Sequence, residues 1–222
     1  MNNSPFMQGA ATQHQAIPTH KVLKNTYLLL SFTLLFSAIT AGIAIATDLG
    51  HIGGLVCMLL AFVMMFVVNK TADSSKGLVA IFAFTGLMGA SIGPMLDNYL
   101  AMSNGPQLVL QALGGTALIF FSLSAYVLTT KKDFSFMGGF LMVGLILVVI
   151  ASIANIFLAI PAFSLAISGV VILVMSGLIL FDTSRIINGG ETNYIRATVS
   201  LYLNIYNIFV NLLYILGITN DD

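Results

Sequence analysis

The sequence predicts an all-α membrane protein built as a bundle of seven transmembrane helices. Three observations lead to this fold class: an apolar composition, seven long apolar stretches, and basic residues confined to one side of the resulting topology. Hydrophobic residues make up 58% of the 222 residues, and charged residues only 7%. A soluble domain carries about 25% charged residues, so this chain cannot cover the surface of a water-soluble globule. The composition also excludes a disordered chain and a basic nucleic-acid-binding protein.

Seven apolar stretches have the length needed to cross a bilayer, about 17–25 residues each. They cover residues 27–46, 52–68, 77–96, 108–129, 137–157, 162–181 and 195–216. The connections between them are short, so the helices are expected to form a single domain over residues 27–216. Residues 1–26 are polar and are expected to form a flexible tail, and residues 217–222 are expected to form a short tail at the other terminus.

The basic residues predict the orientation of the chain. All eight Lys and Arg residues precede helix 1 or lie in the connections between helices 2 and 3, 4 and 5, and 6 and 7. Lys and Arg are retained on the cytoplasmic side of membrane proteins. The N-terminal tail is therefore predicted to be cytoplasmic and the C-terminal tail periplasmic.

Helix 7 carries a polar face whose members recur at intervals of four, three, four and three residues: Ser200, Asn204, Asn207, Asn211 and Tyr214. This spacing places them on one side of a helix. Amides that faced lipid would lack hydrogen-bond partners, so the face is expected to point into the bundle. Three roles remain open at this stage: interhelical hydrogen bonds, the lining of a polar cavity or ion path, and a surface for a partner.

Asp182 is the only carboxylate close to an apolar core, at the end of predicted helix 6. It could cap the helix or form a salt bridge with the nearby Arg185 or Arg196. It could also act as a pH-sensitive latch, because ionisable groups within membrane spans are often functional. The charge of Asp182 depends on its burial and on its distance from these arginines, and both require a structure.

Helix 3 presents three glycines, Gly86, Gly89 and Gly93, at a spacing typical of close helix packing. Residues 89–93 also match the G-x-S-x-G pattern of serine hydrolases, but that motif requires a strand–turn–helix context. An aspartyl protease needs two carboxylates at one site, and the spans offer Asp182 alone. No metal-binding or cofactor-binding motif is found. We therefore expect a protein that is not an enzyme and holds no cofactor or metal.

Residues 181–183, 189–197 and 200–209 resemble the C-terminal signature of the Bax inhibitor family, the transmembrane Bax inhibitor motif proteins. Shorter matches occur at residues 93–96, 114–117, 131–136 and 154–157, so the resemblance covers the chain from residue 20 onward. The run over residues 189–202 is similar to that of the bacterial inner-membrane members.

The resemblance implies a seven-helix bundle with helix 7 at its centre. Some members are calcium leak pathways in which an aspartate pair between helices 6 and 7 senses pH. The bacterial inner-membrane members bind the membrane-anchored ATP-dependent protease FtsH and are its slow substrates, drawn in through the cytoplasmic tail.

The chain departs from the channel-like members at one position. Asp182 matches the first aspartate of the pair, but Asn204 stands at the second. An asparagine cannot share a proton, so the coupled pair is absent. The favoured hypothesis is therefore a modulator of FtsH in the bacterial inner membrane. The alternative is a pH-sensitive leak pathway for Ca²⁺ or H⁺, gated around Asp182 and Asn204.

Overall fold

The computed structural model describes residues 19–219, which form seven α-helices joined by short connections. The helices are α1 (Thr19–Ala46), α2 (Gly50–Thr71), α3 (Lys76–Leu100), α4 (Gly105–Thr130), α5 (Gly138–Leu158), α6 (Pro161–Ile187) and α7 (Tyr194–Thr219). A 3-10 turn, Ser135–Met137, precedes α5. No strand occurs within residues 19–219, and the predicted all-helical fold class is confirmed.

All seven helices are long and apolar enough to cross a membrane. At a rise of 1.5 Å per residue, about 20 residues cross the hydrocarbon core. Large apolar side chains cover the outside of the bundle, and the exposed fractions of Phe140 and Phe157 on α5 reach 76% and 84%. So large an exposed apolar surface would drive aggregation in water, whereas in a bilayer it contacts acyl chains.

The helices extend beyond the predicted apolar stretches. α1 begins at Thr19 rather than at residue 27, and α6 continues to Ile187 rather than ending at residue 181. Residues 19–26, predicted as part of the flexible tail, are therefore helical, and Val22 and Thr26 are buried. Charged residues mark where the apolar core ends, but the helical hydrogen bonds continue through the membrane interface.

The two predicted tails are shorter than expected for the same reason. Residues 217–219 belong to α7, not to a C-terminal tail. The remaining tail residues, 1–18 and 220–222, lie outside the described residues, so the expected flexibility of the N-terminal tail stays a prediction.

α3 packs closely on α1 through the glycines that the sequence singles out. A Cβ atom at Gly89 would overlap the carbonyl oxygen of Ser37. At Gly93 it would lie 2.6 Å from the Cβ of Ala44, and at Gly86 it would lie 2.7 Å from the Phe36 ring. Larger side chains would separate the two helices. The close approach also brings the Ser37 side chain up against α7, which contacts α1, α2, α3, α4 and α6.

Candidate functional site between α6 and α7

Asp182 and Asn204 meet where α6 packs on α7. The Asn204 side-chain amide donates a hydrogen bond to the Asp182 carboxylate, with 2.8 Å between Nδ2 and Oδ2. Asn204 is buried, with 4% of its surface exposed, and Asp182 is partly buried. Because α6 continues to Ile187, Asp182 lies inside the helix rather than at its end. The hydrogen bond joins two helices that are consecutive in the chain.

The two arginines near this pair have other partners. Arg196 forms an ion pair with Asp73, with 2.6 Å between Nη2 and Oδ2. Arg185 lies 3.9 Å from the Glu191 carboxylate and donates a hydrogen bond of 3.1 Å to the Gly190 carbonyl. Within residues 19–219, neither ion pair includes Asp182. Among the described residues, Asp182 therefore does not form the salt bridge with Arg185 or Arg196 that the sequence analysis considered.

The remaining asparagines of the α7 polar face bond to their own helix. The Asn207 amide donates to the Leu203 carbonyl at 2.9 Å, and the Asn211 amide donates to the Asn207 carbonyl at 2.8 Å. Both side chains are half-buried, as are Ser200 and Tyr214. Of the three asparagines on this face, only Asn204 has a hydrogen bond to another helix among the described residues. The face is not a continuous seam of interhelical bonds.

A second polar face of α7, which sequence reasoning missed, bonds to α1 and α3. The buried Tyr202 hydroxyl lies 2.7 Å from the Ser37 hydroxyl and donates to the Thr85 carbonyl at 3.4 Å. The Thr198 hydroxyl reaches the Thr26 carbonyl at 3.3 Å. The four-residue spacing of Thr198 and Tyr202 is a signal for this face. It is weak, because a tyrosine in an apolar helix also fits an ordinary core position.

Asn193 fixes the connection between α2 and α3 to the start of α7. Its side-chain oxygen accepts hydrogen bonds from the backbone amides of Ile195 (2.9 Å) and Arg196 (3.1 Å), which is the geometry of a helix N-cap. Its side-chain amide donates to the Ala72 carbonyl at 2.9 Å and to the Asp73 carboxylate at 2.8 Å. One side chain therefore both caps α7 and holds a neighbouring connection in place.

Ser184 fixes the connection between α4 and α5 to the end of α6. The buried Ser184 hydroxyl accepts from the Phe134 amide at 2.8 Å and donates to the Asp133 carboxylate at 3.3 Å. The Ser135 amide also donates to Asp133, at 2.8 Å. Hydrogen bonds from Ser135, and then from Ser184, hold the pKa of Asp133 below its usual 3.8.

The region around Asp182 and Asn204 offers few side chains that could bind a metal ion or catalyse a reaction. No cluster of three or more His, Cys, Asp and Glu side chains that could hold a metal ion lies within residues 19–219. The Ser91 hydroxyl of the G-x-S-x-G match bonds to the Met88 carbonyl of its own helix. A serine hydrolase would also need a histidine base, and His51 on α2 lies 3.2 Å from the Asn98 amide. The Asp182–Asn204 pair holds one carboxylate and one amide, so it can bind a proton but cannot share one between two acids.

Comparison with known proteins identifies the family. The family model described as Bax1-I, inhibitor of apoptosis-promoting Bax1, matches residues 19–221. The chain is similar to "Modulator of FtsH protease YccA" of Escherichia coli strain K12, 55% identical over 206 residues that cover 93% of this chain and 94% of that protein. "Inner membrane protein YccA" of Escherichia coli O6:H1 matches to the same extent.

A third relative matches over nearly the whole chain. It is "Uncharacterized membrane protein" of Vibrio cholerae, 53% identical over 221 residues that cover 99% of both proteins. None of these names mentions ion conduction, so they give no support to the leak hypothesis. The family resemblance expected from the sequence is confirmed by the match over residues 19–221. The chain belongs to the Bax inhibitor family of membrane proteins.

Proposed function

We propose that this chain is a non-catalytic modulator of the FtsH protease in the bacterial inner membrane. The observation that carries the proposal is the 55% identity to a protein named as an FtsH modulator, which extends over 94% of that protein's length. The 206 matched residues make up 93% of this chain, so the match is long enough to include connections as well as spans. The second E. coli relative, named as an inner membrane protein, supports the location.

The proposed orientation places the N-terminus in the cytoplasm, the C-terminus in the periplasm and α7 at the centre of the bundle. The α2–α3, α4–α5 and α6–α7 connections are proposed to lie at the same end of the bundle. The Asp73–Arg196 ion pair and the Asp133–Ser184 hydrogen bond support this arrangement. The basic residues of those connections then lie together, as the positive-inside rule requires of a cytoplasmic face. The contacts of α7 with five other helices support its central position.

The proposed mode of action begins with the polar residues 1–18, which precede α1 and offer a segment for an ATP-dependent protease to grip. Pulling on residue 19 and beyond must break packed structure. Val22 and Thr26 are buried, and the Thr26 carbonyl accepts a hydrogen bond from Thr198 on α7. A protease that holds the tail while the bundle resists unfolding is slowed, which supports the role of a slow substrate that modulates FtsH.

The proposed role of the Asp182–Asn204 pair is to hold α6 and α7 together beneath the connection that joins them. The hydrogen bond of 2.8 Å supports this role directly. The Asn193 and Ser184 tethers support it indirectly, because they fix the neighbouring connections to the ends of the same two helices. The cytoplasmic surface offered to FtsH would then be rigid. Ser200, Asn207, Asn211 and Tyr214 would complete the half-buried face of α7.

The proposal is tested by affinity purification of the full chain from native membranes in mild detergent, followed by mass spectrometry. We expect FtsH to be recovered in near-stoichiometric amounts. A seven-helix membrane protein of unrelated sequence, expressed at the same level, is the control. Recovery of the chain without FtsH, or equal FtsH with the control protein, would contradict the proposal.

The role of the tail has a separate test. Deletion of residues 2–11 should lengthen the lifetime of the chain in cells that contain FtsH, and a shuffled segment of the same ten residues should restore turnover. Unchanged turnover after the deletion would count against the tail as the point of entry. It would leave the binding result above standing.

A further inference from the structure

A cleft separates α1 from α4 on the membrane-facing side of the bundle. The backbones of the two helices stay apart along their described residues, and both helices pack against α7. Side chains bridge the gap at one place, where the rings of Tyr27 on α1 and Phe120 on α4 pack with their centroids 5.8 Å apart. The cavity between the two helices has a volume of about 470 Å³. Its walls include Ser31, Leu34, Ala38 and Gly42 on α1, and Leu113 and Ala117 on α4.

The lining of the cleft is suited to hydrocarbon. Almost all of its surface is apolar. At its floor lie Tyr202 and Tyr206 of α7, whose hydroxyls already bond to Ser37 and Ser91. The cleft lies within the apolar spans of α1 and α4, where the bilayer core offers no water to fill it. Its occupant must therefore be apolar over most of its length.

The dimensions of the cleft favour an acyl chain over a transmembrane helix. Its lining runs along α1 from Tyr27 to Ile45, about 27 Å at 1.5 Å per residue. A helix of that length is about 10 Å across with its side chains and occupies on the order of 2,000 Å³. Hydrocarbon of the same length, about 4–5 Å across at van der Waals contact, occupies roughly 400 Å³. The observed volume of about 470 Å³ matches the second value.

Two lysines of α1 lie just past the end of the cleft that is proposed to face the cytoplasm, and they continue the side of α1 that lines it. Lys21, Lys24, Tyr27 and Ser31 follow one another at intervals of three, three and four residues, which places them on one side of the helix. Both lysines are exposed, and neither forms an ion pair with another residue of the described range 19–219. Ammonium groups just outside the hydrocarbon core attract anionic phosphate headgroups.

We propose that the cleft between α1 and α4 binds an anionic phospholipid of the cytoplasmic leaflet, with one acyl chain along the cleft and its phosphate at Lys21 and Lys24. The two halves of the site match the two halves of the ligand. The apolar walls select the chain, and the pair of uncompensated charges selects the headgroup. This inference concerns the surrounding bilayer and is independent of any interaction with a protease.

The absence of tryptophan from the chain permits a direct test. Phe121→Trp places a fluorescent reporter at the cleft, and Phe62→Trp places one on the lipid-facing side of α2. The two phenylalanines are matched, because they are 65% and 60% exposed and each lies nine residues before the end of its helix. Each variant is reconstituted in phosphatidylcholine vesicles that contain phosphatidylglycerol with brominated acyl chains, which quench nearby tryptophan.

With about one brominated phosphatidylglycerol per five lipids, we expect quenching at Phe121→Trp to exceed that at Phe62→Trp about two- to threefold. Moving the bromine to phosphatidylcholine should reverse the order. Replacing both Lys21 and Lys24 by Gln in the Phe121→Trp chain should remove the preference. Equal quenching at the two positions, or a preference that survives loss of both lysines, would overturn the proposal.

A second pair of variants tests the cleft itself, with the Phe121→Trp reporter in place. A Cβ at Gly42, which lines the cleft, or at Gly114, which does not, meets no atom within 4 Å. Gly42→Leu should fill the cleft and lower the quenching by phosphatidylglycerol to the level seen at Phe62→Trp. Gly114→Leu should leave it unchanged. The same quenching in both variants would contradict occupation of the cleft.

Discussion

The amide of Asn204 lies 2.8 Å from the carboxylate of Asp182, so a neutral donor on α7 bonds to the one carboxylate of α6. Both arginines of the α6–α7 region are paired elsewhere, with Glu191 and with Asp73. In the described part of the chain, the side-chain contact of Asp182 with α7 is therefore a hydrogen bond between a carboxylate and an amide and not an ion pair. It adds to the apolar packing of α6 on α7.

Loss of this hydrogen bond should destabilise the bundle. Asn204→Leu keeps the size of the side chain but removes the donor, and an interhelical hydrogen bond in a membrane protein contributes about 0.6 kcal/mol on average and up to about 1.7 kcal/mol. We expect the free energy of unfolding to fall by about 1 kcal/mol, measured by denaturant titration in detergent micelles. Asn207→Leu is the control, because the Asn207 amide bonds to its own helix. Equal losses in the two variants would remove any special role for the Asp182 contact.

The N-cap of α7 should matter more than the ion pair beside it. Asn193→Ala removes the cap of α7 and the tether to Ala72, and loss of an N-cap costs about 1 kcal/mol or more. Arg196→Gln removes an ion pair whose side chains are 41% and 71% exposed, which is worth less than about 1 kcal/mol because solvent screens it. Thermal unfolding of the two variants should rank Asn193→Ala as the less stable.

A third substitution separates the two roles of Asn193. Asn193→Ser retains a capping oxygen but loses the amide that donates to Ala72 and Asp73. We expect its stability to lie between those of the wild type and Asn193→Ala. A serine variant as unstable as the alanine variant would show that the tether, and not the cap, provides the stabilisation.

Asp133 should make the stability of the end of the bundle that carries the basic connections depend on pH in the acid range. Its pKa in the folded protein lies below 3.8, so folding favours the ionised carboxylate. The stabilisation is therefore present above about pH 4 and is lost as the pH falls through the lowered folded value. The melting temperature of Asp133→Asn should lie below that of the wild type at pH 7, and the difference should disappear in acid.

The Ser184 contact provides the control for this pH effect. In a Ser184→Ala background, Asp133 loses one of its donors, and the difference between Asp and Asn at position 133 should shrink. A difference that is the same at pH 7 and in acid would contradict an ionised Asp133 as its source.

The close contact of α3 with α1 predicts opposite effects of alanine at two glycines. Gly89→Ala should destabilise the bundle by about 1–3 kcal/mol, because its Cβ would overlap the Ser37 carbonyl oxygen and force the helices apart. Gly169→Ala on α6 meets no atom within 4 Å and should be neutral or stabilising by up to about 1 kcal/mol, since alanine is the better helix former. A shift of the same sign at both sites would argue against this packing.

The fold could be predicted from the sequence because apolar runs of about 20 residues form few structures other than membrane helices. The ends of the helices could be predicted less well, since charges mark the limit of the apolar core and not the last hydrogen bond of the helix. Asp182 illustrates the difference, because it was placed at the end of helix 6 and lies inside α6.

Within the candidate site, sequence spacing identified the face of α7 but not the partner of each side chain. Spacing shows that Asn204, Asn207 and Asn211 share a side of the helix. Only coordinates show that one amide crosses to α6 while the others bond to their own backbone. The Tyr202–Ser37 contact was missed because it joins residues 165 positions apart, and no local pattern connects them.

The central claim is tested most directly by reconstituting purified FtsH in vesicles with a second membrane protein that it degrades, with and without this chain. We predict that the full chain slows degradation of the second substrate in proportion to its amount. A chain lacking residues 2–11 should slow it less, because the proposed handle is gone. A degradation rate that does not change at any ratio of the full chain to FtsH would contradict the account.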